Sequence, residues 1–415
     1  MSGLRTVEEH LADVLAAVSP LGAEHVALAE AYGRTLREPV RAAVDIPVFD
    51  NSAMDGFAVR FADVMDAADA APAVLRVVAD LPAGTSSDPA LAPGEAARIM
   101  TGSPVPADAD TIVPFEDTAG GLEDSLGEVR VLRAPRAAGA HVRRSGEDAR
   151  VGAEVLPAGV LLGPLQAAAA AAAGVAEVVV ARHPRVAVIS TGSELVAPGQ
   201  PLRRGQIPES NSILLAGLAA DAGATVMRRD SVPDEPALLD ALLTEVTAPD
   251  APGGPADVVV FSGGVSAGAY EVVKTTLART MAFTKLAMQP GKPQGFGRLP
   301  SGALLFGLPG NPVSAAVSFE VFVRPALLHL QGRTADDRRV LSLPAAAGWR
   351  TPPGRRQYLP VVIDTADPRA WRVRPATSGG SHLAGGLGRA EAYAVVPADV
   401  EAVAEGELVD VMLIS

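Results

Sequence analysis

The stretch Ala303–Ser314 reads ALLFGLPGNPVS. An apolar run of strand length enters Pro309-Gly310-Asn311, after which Pro312 suits the first position of a helix and Asn311 its cap. Two more stretches share this grammar. Val186–Ser190 (VAVIS) runs into Thr191-Gly192-Ser193-Glu194, and Asp257–Phe261 (DVVVF) into Ser262-Gly263-Gly264-Val265-Ser266. Small residues where a strand ends let the backbone approach a ligand, and hydroxyls add donors. Any one of these junctions is ordinary strand-to-helix turn chemistry. Three in one α/β unit converge on one crevice, where a helix N-terminus forms an anion site.

Outward from these junctions, residues 183–331 alternate strand and helix. Helices are predicted over Ser212–Ala222, Pro236–Val246 and Pro312–Leu330, with a strand over Ala224–Arg229. Such alternation implies a mostly parallel sheet. Between the second and third junctions, Lys285–Pro293 (KLAMQPGKP) reads as a basic loop, whose Lys285 and Lys292 are point charges suited to an anion. Carboxylates ring the same region: Glu194, Asp230, Asp234 and Glu271, with Lys274 three residues beyond the last. Carboxylates beside a phosphate site suggest Mg²⁺, which takes oxygen ligands. Asp234 also reads as a helix cap before Pro236.

The flanks differ in pattern. The first thirty residues are expected to be an amphipathic helix, with Thr6 and Glu9 in capping-box spacing and Val7, Leu11, Val14, Leu15 and Val18 on one face. Short apolar runs punctuated by Pro, Gly and Asp from Val74 to Val142 predict an all-β module. Leu161–Ala181 is the most apolar stretch, but Gly174 splits it into a helix (Gln166–Ala173) and a strand (Glu177–Val180), so a membrane span is the poorer reading. Short strands fill Arg339–Ser415.

Composition narrows the chemistry. The 415 residues carry a net charge of −13 and only 4% aromatics, which disfavours a nucleic-acid partner. With no cysteine there is no disulfide, thiolate metal site or catalytic thiol, and the six histidines lack zinc spacing. Glu8, Glu9 and Asp13 stand where a secretory leader would be basic, so a cytoplasmic protein without membrane contact is expected.

Seven segments in this order and spacing resemble the molybdopterin molybdenumtransferases (the MoeA family), including the matching region of the scaffold gephyrin. They are Phe49–Arg60 (FDNSAMDGFAVR), Met100–Pro104 (MTGSP), Ser145–Asp148 (SGED), Ser190–Leu195 (STGSEL), Ser262–Gly268 (SGGVSAG), Pro290–Pro293 (PGKP) and Pro309–Ser314 (PGNPVS). The resemblance spans nearly the whole chain. It implies a multidomain α/β plus β fold: an N-terminal helical/β domain (1–48 and 142–182), an inserted β domain (49–141), a mostly parallel α/β molybdopterin-binding domain (183–331) and a C-terminal β domain (332–415). It also implies a homodimer with its site between the α/β domain of one subunit and the N-terminal parts of the other.

The implied reaction inserts molybdate into adenylylated molybdopterin, with Mg²⁺-dependent release of AMP. Contact with the molybdopterin adenylyltransferase and downstream molybdoenzyme machinery would follow. By position, the resemblance assigns catalysis to Asp55, Thr101, Asp148, Glu194, Glu271 and Lys274, and metal to Glu194, Asp230, Asp234 and Glu271. Substrate binding falls to Thr191, Gly192, Ser193, Ser262, Gly263, Gly264, Lys285, Lys292, Pro309, Gly310, Asn311, Ser314, Arg356 and Ser381. Two positions depart from many relatives: Glu271 replaces an Asp, and Gln289 replaces a lysine. The rival readings are the adenylyltransferase, whose fold covers the α/β part alone, a non-catalytic scaffold or carrier, and a tungstate-specific relative.

Overall fold

The computed structural model describes residues 4–122, 126–265, 271–334, 338–376 and 384–414. The α/β unit holds six strands: β1 (Arg185–Thr191), β2 (Thr225–Val232), β3 (Val258–Ser262), β4 (Met281–Lys285), β5 (Pro293–Arg298) and β6 (Leu304–Leu308). Their order is β2-β1-β3-β6-β5-β4. The first four are parallel, and β5 runs antiparallel to both its neighbours, β6 and β4. The mostly parallel sheet is as expected; the expected basic loop lies between β4 and β5, which take only its end residues Lys285 and Pro293, and Met288–Gln289 within it forms a short strand. Gly residues let these strands close up: a Cβ on Gly297 would lie 2.3 Å from Thr280 O.

Period-two alternation sorts the strand residues between two cores. Val186, Val188, Val258, Val260, Leu304 and Phe306 pack under α1 (Asn211–Asp221), α4 (Pro312–Leu330) and the N-terminal helix Val7–Ala16. Ala187, Ile189, Val259, Phe261 and Leu305 pack under α2 (Pro236–Thr247) and the short α3 (Val272–Thr276). Each fully buried Val, Ile, Leu or Phe contributes about 1.5–3 kcal/mol, so both faces are firmly covered. Helix α4 is long and apolar enough to cross a membrane, but 83% of its apolar window is buried inside the molecule, where it forms the core. It makes one π turn at Phe319–Val323. There the buried Glu320 receives two hydrogen bonds from Arg338, at 3.0 and 3.1 Å.

The N-terminal helix has the expected capping box, but it ends at Ala16, short of the thirty residues expected. Pro20 and Gly22 break it, and Ala23–Ala27 is instead a strand paired with Glu177–Ala181. Residues Asn51–Ser52 pair with Val142–Arg143 where the chain leaves for, and returns from, a five-stranded sheet. In that sheet Gly56 passes so close to Val113 that a Cβ would lie 2.1 Å from its carbonyl oxygen. The C-terminal sheet takes Met288–Gln289, from the α/β unit, as its edge strand beside Arg356–Asp364.

Candidate active site

Because β1 is followed in sequence by β2 on one side of it and then by β3 on the other, the chain reverses direction between β1 and β3. A crevice opens at the carboxyl ends of strands at such a switch point. Here it is a cleft of about 910 Å³, lined by Thr191, Gly192 and Glu194 from the first junction, Ser262–Val265 from the second and Pro309–Pro312 and Ser314 from the third. All three junctions therefore share one cleft.

Backbone geometry sets its shape. Gly263 and Gly264 have φ of +95° and +65°, and a Cβ on Gly263 would lie 2.5 Å from Thr191 O. Only glycine takes both the conformation and the contact without strain. The first loop is tied to the β2–α2 connection, with Ser193 N donating to Asp234 Oδ2 (3.1 Å) and Asp234 N donating to Ser193 Oγ (3.2 Å). Asp234 thus braces the loop rather than capping α2, whose N-cap is Glu235. Asn311 is the N-cap of α4 and Pro312 its first residue, though the Asn311 side chain makes no capping bond.

Two functional residues escaped the sequence reading. Glu209 is a buried carboxylate that accepts from Ser190 Oγ (2.8 Å), Ser212 N (2.7 Å) and Ser212 Oγ (2.6 Å). A buried charge is costly without such donors, and the N-terminus of α1 adds a favourable dipole. Asn211 Nδ2 donates to Ser262 Oγ (2.8 Å) and Gly310 O (2.6 Å), joining the second and third junctions. The local signal was Pro208-Glu209-Ser210-Asn211-Ser212 at a helix start, which passes for ordinary capping chemistry. Two buried oxygens in the lining, Thr191 Oγ1 and Asn211 Oδ1, have no hydrogen-bond partner among the described residues. Gln289, in the lining, accepts at Oε1 from Arg355 Nη1 (2.8 Å), which brings a guanidinium to this wall.

The lining carries Glu194, Glu209, Asp234 and Glu271 but, among the described residues, Lys292 as its one cationic side chain. An anion bound here needs backbone N–H groups and added positive charge. No group of three His, Asp or Glu residues able to hold a metal ion occurs among the described residues. The expected four-carboxylate set does not assemble. Glu194, Asp234 and Glu271 line the cleft, whereas Asp230 lies within β2 paired with Arg228.

Other expected residues lie elsewhere. Lys285 is the last residue of β4, paired with Pro293, exposed and outside the lining. Lys274 is exposed on α3, its backbone N–H donating to Gly264 O (3.0 Å). Arg356 pairs with Glu8 of the N-terminal helix. Asp148 is exposed in the returning segment, its N–H donating to Ile46 O (2.9 Å). Asp55 and Thr101 meet in the inserted sheet: Asp55 Oδ1 accepts from Thr101 N (2.6 Å) and Oγ1 (2.7 Å). Those bonds hold the Asp55 carboxyl below the usual carboxylate range. Ser381 lies outside the described residues.

Three family descriptions match the chain: "MoeA N-terminal region (domain I and II)" over residues 5–174, "Probable molybdopterin binding domain" over 187–329 and "MoeA C-terminal region (domain IV)" over 342–414. The chain is 43% identical over 414 residues to a Mycobacterium tuberculosis protein named molybdopterin molybdenumtransferase 2, covering 97% of this chain and 98% of that one. A Nostoc protein named molybdopterin molybdenumtransferase is 40% identical over 314 residues, 74% of this chain and 70% of its own. Two solved structures titled as the molybdopterin biosynthesis moeA protein of Pyrococcus horikoshii superpose with TM-scores of 0.83 and 0.80 at 28% and 31% identity. They cover 99% and 100% of this chain and 100% of theirs. The chain belongs to the molybdopterin molybdenumtransferase (MoeA) family.

Proposed function

We propose that the protein is a cytoplasmic molybdopterin molybdenumtransferase that binds adenylylated molybdopterin in this cleft. It inserts molybdate at the dithiolene and releases AMP, with Mg²⁺ as cofactor. The observation that carries the reading is the convergence of three glycine-cornered junctions on one cleft of about 910 Å³, a size suited to a substrate larger than a single phosphate. With the Gly192 and Gly263 N–H groups already donating to Val232 O and Leu308 O, backbone N–H groups of the Gly264 and Asn311 turns, the Ser262 and Ser314 hydroxyls and Lys292 hold the phosphates. Ser193 acts from behind, fixing the first loop through Asp234. Pro309 and Gly310 keep side chains out of the way, and Thr191 offers a buried hydroxyl.

The donor set fits Mg²⁺, which takes one or two carboxylates and completes its shell with phosphate oxygens and water. Glu194, Asp234 and Glu271 are the ligands available in the cleft. Held by these carboxylates, Mg²⁺ would neutralise charge on the phosphoanhydride. Glu194 or Glu271 orients a water on the adenylyl phosphorus and takes its proton, while the bond to the pterin phosphate oxygen breaks and AMP leaves. No covalent enzyme intermediate is required. Asp55, Thr101 and Asp148, which lie outside the cleft, act in a homodimer by reaching the site of a second copy. Lys274, Lys285 and Arg356 remain candidates for charge at its rim.

The test is molybdate-dependent AMP release from adenylylated molybdopterin with Mg²⁺, run with Asp55→Ala and Glu194→Ala. Coupled metal insertion lost in both variants supports the transferase. Tight binding without turnover supports a carrier, and turnover with tungstate alone supports the tungstate-specific reading.

A further inference from the structure

Asn211 occupies the first turn of α1, two residues after the buried Glu209 that pins that turn to the end of β1. Its amide makes two bonds from one nitrogen, to Gly310 O and to Ser262 Oγ. A carbonyl oxygen only accepts, so the nitrogen must face Gly310, and its second proton goes to Ser262 Oγ. Having accepted there, the buried Ser262 hydroxyl has its own proton left to donate, and Ser262 lines the cleft. The bond to Gly310 O has a second consequence. In a trans peptide the carbonyl and the following N–H point in opposite directions, so holding Gly310 O fixes the direction of the Asn311 N–H at the start of α4. A glycine peptide turns over easily unless something holds it.

We propose that Asn211 is a positioning residue of the cleft: by clamping Ser262 Oγ and Gly310 O it directs the Ser262 hydroxyl proton, and with it the third junction's backbone, toward the bound phosphate. The inference rests on the reading that this cleft binds adenylylated molybdopterin. It assigns to one side chain the coupling between junctions that are separate in sequence. Asn211 does not touch the reacting atoms; it acts through Ser262 and Gly310.

The experiment measures the Kd for adenylylated molybdopterin and the kcat and KM of AMP release in wild type, Asn211→Ala, Ser262→Ala and the double variant, with thermal midpoints alongside. Asn211→Asp is followed from about pH 8 to about pH 5. Losing the clamp raises Kd and KM by about 10- to 100-fold while kcat changes less. Because Asn211 acts on the ligand through Ser262 as well as Gly310, the two losses overlap, and the double variant binds no worse than the weaker-binding single variant, within about threefold. Asn211→Asp, which keeps the shape but loses the donors, binds poorly at high pH and recovers as its carboxyl protonates, which Asn211→Ala does not. This variant also carries the test if Asn211→Ala fails to fold. A Kd in Asn211→Ala within about threefold of an active wild type, or a double variant that loses the product of the single losses, overturns the inference alone. A wild type that neither binds nor converts the pterin overturns the functional reading, and the inference with it.

Discussion

The cleft in the α/β unit and the Asp55–Thr101 pair in the inserted sheet are built on opposite plans. The cleft is made mostly of backbone at strand ends. Its glycine turns are locked by close approaches, and its polar anchors, Glu209 and Asn211, are buried. The Asp55–Thr101 pair is a side-chain contact on an exposed edge. Sheet packing organises the first before any ligand arrives, so a substitution there disturbs shape and stability together. The second is a local, ionised group in the bend just before the strand Gly56–Val59, so its substitution should change chemistry with little change in stability.

Gly263→Val attacks the contrast at its strongest point. With φ at +95° and Thr191 O 2.5 Å from the new Cβ, the loop must move. Binding of the adenylylated pterin should be lost, with destabilisation of about 2–4 kcal/mol in urea unfolding. Retained binding would mean the loop is not the floor of the site. Glu194→Gln should lower turnover by about 100-fold while binding changes little, as for a group that works on the transition state. Equal losses in binding and turnover would make Glu194 a binding residue instead.

Asp55→Ala should lower turnover by at least about tenfold and move stability by less than about 0.5 kcal/mol. A large fall in thermal midpoint would erase the distinction between the two regions. Since Thr101 holds the Asp55 carboxyl below the usual range, its contribution persists at mildly acidic pH and fades only as pH falls through that lowered value. The smallest effect on turnover belongs to His10, which is part of neither. Burial, and to a lesser degree nearby Arg5, pushes His10 down to about 4 from 6.5. The neutral ring, packed on Phe322, is therefore the folded form. Its contribution is complete above about pH 6.5 and is lost as pH falls toward 4, by up to about 3 kcal/mol. His10→Leu should flatten that part of the acid unfolding curve and leave turnover at neutral pH unchanged.

How far the sequence disclosed this follows from the range of each interaction. Gly and Ser/Thr at a strand's end form a local pattern, so Thr191–Glu194, Ser262–Gly264 and Pro309–Ser314 were readable, as was the alternation that builds β1, β3 and β6. Glu209 and Asn211 resemble helix-cap chemistry until Ser190, Ser262 and Gly310 are brought to them by the sheet. Lys285 was misplaced because the five-residue strand Met281–Lys285 is stabilised by pairing with β5 rather than by its own propensity. Asp230 was misplaced because β2 runs on to Val232, past the point where its apolar pattern ends. The parallel pairing of Ala73–Leu81 with Glu95–Ile99 is likewise a tertiary choice, not written in either strand.

The most direct test of the central claim is single-turnover AMP release from adenylylated molybdopterin, with and without molybdate, coupled to a measurement of pterin-bound molybdenum. The account predicts stoichiometric AMP release that requires molybdate and Mg²⁺ and is lost in Glu194→Gln. Release independent of molybdate, or molybdenum bound without release, would contradict it.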